Sequence, residues 1–170
     1  MSSWIAVSVA IPLSLGLGTS FTALRPGAID WHRRLRKPKY NVPHEALLPL
    51  FAFLYTIGGI GAYLVCNEMI LARHTPELVA ARAGRLGLGF YWLGLTFTVF
   101  WPRLLAFGPS LKLALADMAV GGLFMFLAMI QFFRLTVVGG LLMLVCFASV
   151  TALGTWNAVL VEIERSGLPL

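Results

Sequence analysis

The sequence predicts an all-α membrane protein: five transmembrane helices that form one bundle, in a single domain over residues 1–170. Hydrophobic residues make up 59% of the chain and charged residues only 12%, and the mean hydropathy is +0.85. A soluble domain carries about 25% charged residues, so this chain has too few charges to cover a surface that faces water. Apolar runs also recur at about the 20-residue length that a helix needs to cross a bilayer. They lack the sustained alternation of a membrane β-barrel.

Five apolar segments are the predicted spans, and each is expected to be helical because backbone groups in lipid must bond within their own segment. They are Trp4–Leu24, Ala46–Leu71, Leu86–Leu105, Leu113–Phe133 and Leu135–Val161. The longest predicted loop is Arg25–Glu45, and the other connections are short. Short connections force neighbouring helices to run antiparallel in a compact bundle. No Lys or Arg precedes the first segment, so we expect it to be retained as a span rather than cleaved as a signal peptide.

Basic residues are distributed unevenly between the two predicted sides of the membrane. Nine of the 13 Lys and Arg residues fall on the side of the first loop and the C-terminus, and four fall on the other side. This bias places the first loop on the side that is usually cytoplasmic. Six of the basic residues lie between Arg25 and Lys39, beside apolar spans. That position indicates contact with lipid headgroups and not with nucleic acid.

Residues that support catalysis or metal binding are sparse. The histidines His32, His44 and His74 fall in predicted loops, and Cys66 and Cys146 lie in apolar runs without ligand spacing. No nucleophile lies beside a base, and no phosphate-binding or dinucleotide-binding motif is present. The sequence therefore predicts no enzyme, no catalytic residue and no metal site.

Asp117 is the only acid well inside an apolar segment. An ionisable group in the membrane is costly and marks a functional site by default. The alternative is a local role near the interface, because Lys112 lies little more than one helical turn away, although that spacing is poor for an ion pair. A single carboxylate does not form an acid–base pair. Asp117 is thus a candidate functional residue without a catalytic role.

Aromatic residues concentrate near the predicted helix ends and along two of the helices. One interpretation is that they anchor the chain at the interface and pack its core. The other is that they line a pocket for a flat apolar ligand. The residues are Trp31, Tyr40, Tyr55, Tyr63, Phe90, Tyr91, Trp92, Phe97, Phe100, Trp101 and Trp156.

The segment from the first loop into the second span carries a recognisable motif. The loop contains a Trp, then Leu-x-Lys-Pro, an aromatic residue and a proline, and the span contains Leu-Tyr followed by Gly. This pattern resembles the translocator protein family, also known as the TspO or peripheral benzodiazepine receptor family, and the similarity extends along nearly the whole chain. The matching residues are Trp31, Leu35, Lys37, Pro38, Tyr40, Pro43, Leu54, Tyr55, Gly59, Trp101 and Pro102.

The chain also departs from the family pattern at polar and aromatic positions. In the second span Phe51 replaces a Trp and Gly58 replaces a Met. In the third span Gly94 and Thr98 stand where the family has Gln and Asn. The Pro-Tyr-x-x-Trp of the fifth span is replaced by the apolar run that starts at Val145. A ligand site loses affinity when its hydrogen-bonding partners are removed, so these departures bear on the ligand more than on the fold.

The resemblance implies a membrane protein that binds a tetrapyrrole, a sterol or another lipid in a pocket under the basic first loop. No other cofactor is implied. The loop would act as a lid, with Arg36 and Lys37 attracting porphyrin carboxylates. The implied ligand-binding residues are Trp31, Lys37, Pro38, Pro43, Tyr55, Phe97, Trp101 and Asn157.

Two further interpretations remain open. The lost polar positions favour an accessory structural subunit of a larger membrane complex, such as a respiratory complex, with a degenerate pocket. Porphyrin degradation has been associated with the family, but this chain has no acid–base partner for it. The resemblance places the protein in the mitochondrial membrane, or alternatively in a bacterial cell membrane. Homodimers are common in the family, and the expected partners are membrane lipid and a hydrophobic small molecule.

Overall fold

The computed structural model describes residues 6–23, 25–36, 38, 44–72, 78–107 and 110–166. These residues contain helices and no strand, which confirms the all-α prediction for them. The chain begins with a π-helical turn that continues directly into the first α-helix. The elements are the π-helical turn Ala6–Ala10, α1 (Ile11–Ala23), α2 (Pro26–Arg34), α3 (His44–Ala72), α4 (Leu78–Phe107), α5 (Leu111–Phe133) and α6 (Val137–Ser166).

Three helices in the described part of the chain are long and apolar enough to cross a membrane. They cover Ala46–Leu71, Leu111–Phe133 and Val137–Ser166, close to three of the five predicted spans. The first predicted span corresponds to a shorter apolar helix, Val7–Gly18. The third lies wholly within α4. Hydropathy therefore located the helices, and three of them satisfy the requirements of a span by length and composition.

The predicted first loop contains a helix, so the prediction that Arg25–Glu45 is loop throughout was wrong for Pro26–Arg34. Proline is well tolerated in the first turn of a helix because that turn needs no N–H partner. The amide of Ile29 donates to the carbonyl of Arg25 at 3.0 Å, and Leu35 ends the helix by adopting an extended backbone. Because α2 is short and polar, a search for apolar runs does not find it.

The long helices pack as a ring in the order α1, α3, α6, α5 and α4, and α4 packs against α1 to complete it. The helices α3 and α4 also contact each other directly, and α2 lies against α1 and α4. Short connections set this arrangement, since the turn between α5 and α6 takes only Arg134, Leu135 and Thr136. Neighbours along the chain therefore run antiparallel, and the side chains that face inward from four helices meet at the centre.

Glycines allow the first helix to approach α3 closely. A Cβ atom on Gly59 would lie 2.5 Å from the carbonyl oxygen of Ser8 and 2.9 Å from the Cα of Val9. One turn earlier on α3, at Tyr55, the contact recurs: a Cβ on Gly16 of α1 would overlap the ring of Tyr55. Small residues at helix contacts are typical of membrane bundles because they let backbones approach. The observed contacts support bundle packing as the role of these glycines.

Candidate functional site

A cavity lies inside the ring, between α3, α4, α5 and α6. Its volume is about 20 Å³, which is room for one water molecule and much less than the roughly 300–1,000 Å³ of a typical ligand pocket. Side chains fill most of the interior in this conformation. The lining residues are Phe51, Leu54, Tyr55, Gly58, Tyr91, Leu95, Thr98, Met125, Cys146 and Val150.

Aromatic rings of α3 line this cavity, and a ring of α4 packs behind them. Phe51 and Tyr55 are four residues apart on α3 and therefore lie on the same face. Their rings stack with centroids 5.9 Å apart. The ring of Trp101 on α4 packs on Phe51 with a centroid distance of 5.8 Å. Tyr55 and Trp101 are thus brought near each other with Phe51 between them; Tyr55 lines the cavity and Trp101 does not.

Two other predicted site residues do not line the cavity. Phe97 faces α5, where its ring stacks on that of Phe124 with centroids 5.9 Å apart. Asn157 on α6 is 0% exposed, and its side-chain Nδ2 donates to the carbonyl of Leu111 at 3.4 Å. This bond joins the later part of α6 to the first turn of α5. Both residues hold helices together, and sequence position alone gave no means to separate that role from ligand contact.

The loop residues of the predicted site are only partly described. Trp31 lies in α2, near its C-terminal end, but its side chain is outside the described residues. Lys37 and Pro43 lie outside them altogether, while Pro38 is half-buried. The lid over the pocket therefore stays a prediction, and the helix that carries Trp31 packs against α4.

The polar side chains that line the cavity differ in whether they have a hydrogen-bond partner. The Tyr55 hydroxyl donates to the carbonyl of Thr98 at 3.3 Å, and the Thr98 hydroxyl donates to the carbonyl of Leu95 at 2.9 Å. The Cys146 thiol donates to the carbonyl of Leu54 at 3.6 Å. The hydroxyl of Tyr91 is buried and has no hydrogen-bond partner among the residues described here.

The position of the Tyr91 hydroxyl follows from its neighbours. A Cβ atom on Gly58 would lie 3.5 Å from this hydroxyl and 3.4 Å from the Sγ of Cys146. Three helices therefore converge on one point of the cavity. The sequence analysis placed Tyr91 among the aromatic residues but did not assign it to the site. The signal that would have found it is the shared inward face of Tyr91, Leu95 and Thr98 on α4.

The two tyrosines of the cavity are expected to respond differently to loss of their hydroxyls. Tyr55→Phe removes a hydrogen bond and should lower the free energy of unfolding by about 1 kcal/mol. Tyr91→Phe removes a buried hydroxyl without a partner, so this free energy should stay unchanged or rise. Unfolding of the purified protein in mild detergent, followed by circular dichroism, measures both. Equal destabilisation by the two changes would contradict the difference in hydrogen bonding.

Asp117 lies on the face of α5 that packs against α4. One of its carboxylate oxygens is buried without a partner in the described part of the chain, and no ion pair joins Asp117 to Lys112. A Cβ on Gly121 would lie 3.0 Å from the Cβ of Phe97, so the antiparallel register places Asp117, one turn earlier, level with Trp101. The indole N–H of Trp101 is also buried and has no partner within the described residues. A donor and an acceptor without partners thus occur at the same level of the bundle.

Metal ligands are not gathered anywhere in the part of the chain that the structure covers, since no three His, Cys, Asp and Glu side chains come together there. Cys66 is half-buried, Cys146 is buried, and both are free thiols. The functional groups that side chains present inside the described bundle are therefore aromatic rings, hydroxyls, one thiol, one amide and one carboxyl group.

A larger depression of about 570 Å³ lies on the outer surface between α5 and α6. Its floor contains Gly122 and Gly154, and Phe126 and Phe147 form part of its wall. The hydroxyls of Thr151 and Thr155 in this groove donate to carbonyls of their own helix at 2.8 Å and 2.9 Å. The groove is consequently apolar and, in a bilayer, would face lipid tails.

The composition, the helical ring and the three helices fit for a bilayer define an integral membrane protein of the helical-bundle class. Residues 7–162 match the model of the TspO/MBR family, and the chain belongs to that family. The resemblance inferred from the loop and helix motifs is thereby confirmed.

The chain is similar to mammalian translocator proteins. It is 29% identical to the translocator protein of Sus scrofa over 120 residues, which are 70% of this chain and 66% of that protein. It is 31% identical to that of Bos taurus over 98 residues, 55% and 57% of the two chains. It is 28% identical to that of Homo sapiens over 116 residues, 68% and 64% of the two chains. The matches therefore span less than two thirds of each relative's length.

Proposed function

We propose that this chain binds a hydrophobic small molecule, a tetrapyrrole or a sterol or other lipid, inside a bundle of five transmembrane helices. The observation that carries the proposal is the interior cavity with aromatic walls, because pockets for apolar ligands have such walls and few polar groups. Membership of the TspO/MBR family supports it. The proposal is of binding without catalysis.

A topology of five spans requires two membrane-crossing helices in addition to the three that are long and apolar enough. Between Arg85 and Arg103 the helix α4 carries 17 residues without a charge, which is near the lower limit for a span. The π-helical turn and α1 together cover residues 6–23 and carry no charged residue. We propose that both cross the membrane, with the first loop and α2 on the basic side.

Ligand entry requires the cavity walls to move, because a volume of about 20 Å³ does not hold a tetrapyrrole or a sterol. We propose that the rings of Phe51, Tyr55 and Trp101 form the movable wall. A flat ligand can stack on these rings in place of their contacts with one another, since aromatic pairs favour offset or edge contacts of this kind. Trp31, Lys37, Pro38 and Pro43 are proposed to cover the opening.

The charges favour one orientation of an acidic ligand. Arg33 and Arg34 at the end of α2 are exposed, and Arg36 and Lys37 follow them. Asp117 is a half-buried acid of the described bundle, and an ionised carboxylate there would repel a ligand carboxylate because like charges in a low dielectric repel. Porphyrin carboxylates are therefore proposed to pair with the basic loop, with the ring inside near Trp101.

Protoporphyrin IX titration of the purified protein in lipid nanodiscs tests the proposed function. We expect saturable binding, seen as a shift of the porphyrin absorption band, and a roughly tenfold weaker affinity for Trp101→Leu, because an aromatic contact and buried area are lost. Phe100→Leu is the matched control, since Phe100 immediately precedes Trp101 on α4 and is exposed on its outer surface. Binding no greater than that of empty nanodiscs would overturn the proposal.

The alternative of an accessory subunit in a respiratory complex rests on the polar family positions that this chain lacks, such as those at Gly94 and Thr98. Blue native electrophoresis of mildly solubilised membranes distinguishes the two, because a free binding protein migrates as a monomer or homodimer and a subunit migrates with its complex. The mitochondrial membrane is the proposed location, in keeping with the family resemblance, and the bacterial cell membrane is the alternative. Cell fractionation separates them.

A further inference from the structure

We propose that the hydroxyl of Tyr91 is the hydrogen-bonding anchor of the bound ligand, at the inner end of the cavity. The ligand that fits is an otherwise apolar molecule with one uncharged oxygen or nitrogen atom able to accept a hydrogen bond. This inference rests on the proposed function and adds the chemistry by which the cavity would select its ligand.

The first argument is that this hydroxyl is buried and lacks a partner. Tyr91 is 1% exposed, and its hydroxyl bonds to no group within the described chain. Buried polar groups in proteins nearly always have a partner, and those without one call for an explanation such as a bound water or ligand. A hydrogen-bond acceptor on a bound ligand would supply this partner at Tyr91.

The second argument is that space exists at the hydroxyl. Gly58 carries no side chain, and a Cβ there would already contact the Tyr91 ring at 3.3 Å and its oxygen at 3.5 Å, so the glycine keeps this end of the cavity clear. The cavity of about 20 Å³ adjoins both residues and accommodates one small atom group or one water.

The third argument is that the other donors in the wall are already engaged. The hydroxyls of Tyr55 and Thr98 and the thiol of Cys146 each donate to a backbone carbonyl. The remaining lining residues are apolar. A charged ligand group at this point would have no countercharge among the lining residues, and burial of an unpaired charge is strongly unfavourable. The anchor therefore selects a neutral acceptor such as a ketone, an ether or a hydroxyl oxygen.

A pair of probes that differ in one atom group tests the anchor. 9-Fluorenone and fluorene share a flat tricyclic skeleton, and only the ketone accepts a hydrogen bond. Equilibrium dialysis against the full chain in detergent, corrected for protein-free micelles, gives both affinities. We expect fluorenone to bind about tenfold more tightly than fluorene, the effect of one buried hydrogen bond. Tyr91→Phe should reduce this ratio to about one by weakening fluorenone alone.

Two further variants separate the anchor from general effects on the bundle. Tyr63→Phe is the control, because Tyr63 lies on α3 away from the cavity lining and should leave the ratio unchanged. Gly58→Ala places a methyl group beside the Tyr91 hydroxyl and should lower the ratio as Tyr91→Phe does, without removing the hydroxyl. If both probes bind and Tyr91→Phe leaves their ratio unchanged, the anchor is overturned while the proposed function stands. If protoporphyrin IX binds and neither tricycle does, the anchor is also overturned, and if none of the three binds, both proposals fall.

Discussion

Replacement of Gly59 by alanine is expected to lower the free energy of unfolding by about 2–3 kcal/mol, because overpacking of a tight contact has this magnitude. The added methyl carbon would lie 2.5 Å from the carbonyl oxygen of Ser8 and 2.9 Å from the Cα of Val9. Both are backbone atoms of the π-helical turn that leads into α1. A flexible side chain can rotate away from a new methyl group, whereas a helix backbone moves only as a unit, so the first helix must shift away from α3.

Gly89→Ala is the matched control for this change. Gly89 lies within α4, and a Cβ there would have no atom within 4 Å. The same chemical substitution should therefore leave stability unchanged or raise it slightly, since alanine favours helix more than glycine does. Thermal unfolding of the three proteins in one detergent measures the difference. Similar midpoints for Gly59→Ala and Gly89→Ala would contradict the close contact between the first helix and α3.

Asn157→Asp is expected to destabilise the bundle by about 3 kcal/mol or more, the scale for an unpaired charge or an unsatisfied polar group in the interior. Asn157 is 0% exposed, and its Nδ2 donates to the carbonyl of Leu111. A carboxyl group has nearly the same shape but replaces this donor by an oxygen. The hydrogen bond between α6 and the start of α5 would be lost. An ionised carboxylate would bury a charge and repel the carbonyl oxygen of Leu111, whereas a neutral carboxyl group would have to keep a proton in the interior.

Asn157→Leu is the control, because leucine has the same branching at Cγ and removes the polar groups together. The unpartnered Oδ1 of Asn157 disappears along with the hydrogen bond, so the two effects largely cancel and the change in stability should stay within about 1 kcal/mol. Chemical unfolding in mixed micelles, with circular dichroism as the readout, compares the variants. A loss for leucine as large as that for aspartate would contradict the predicted cost of the buried carboxyl group.

The helices of this protein were predictable because a bilayer imposes a local requirement on each of them. A run of about 20 apolar residues with internally bonded backbone can be found one segment at a time, and α3, α5 and α6 agree with that prediction. The polar helix α2 was missed, since its nine residues from Pro26 to Arg34 have no apolar run. The family followed from short motifs around Trp31, Tyr55 and Trp101, which are also local features.

The site was predictable only in part, because its members depend on how helices are rotated against one another. Tyr55 lines the cavity as expected, but Phe97 packs against α5 and Asn157 bonds to Leu111. Tyr91 is joined by Gly58 and Cys146 from two other helices, and no sequence spacing reports that convergence. That Asp117 and Trp101 lie at one level of the bundle likewise follows from the antiparallel register of α4 and α5.

The sequence by itself determined that this is a helical membrane protein, where its apolar helices lie and to which family it belongs. Each of these properties is set by composition or by residues close together in the chain. The tertiary structure decided that the interior is nearly filled, that the first helix crosses α3 at Gly59 and that a buried tyrosine hydroxyl remains without a partner in the described bundle. Those features depend on contacts between residues tens of positions apart, which only the packing of the helices brings together.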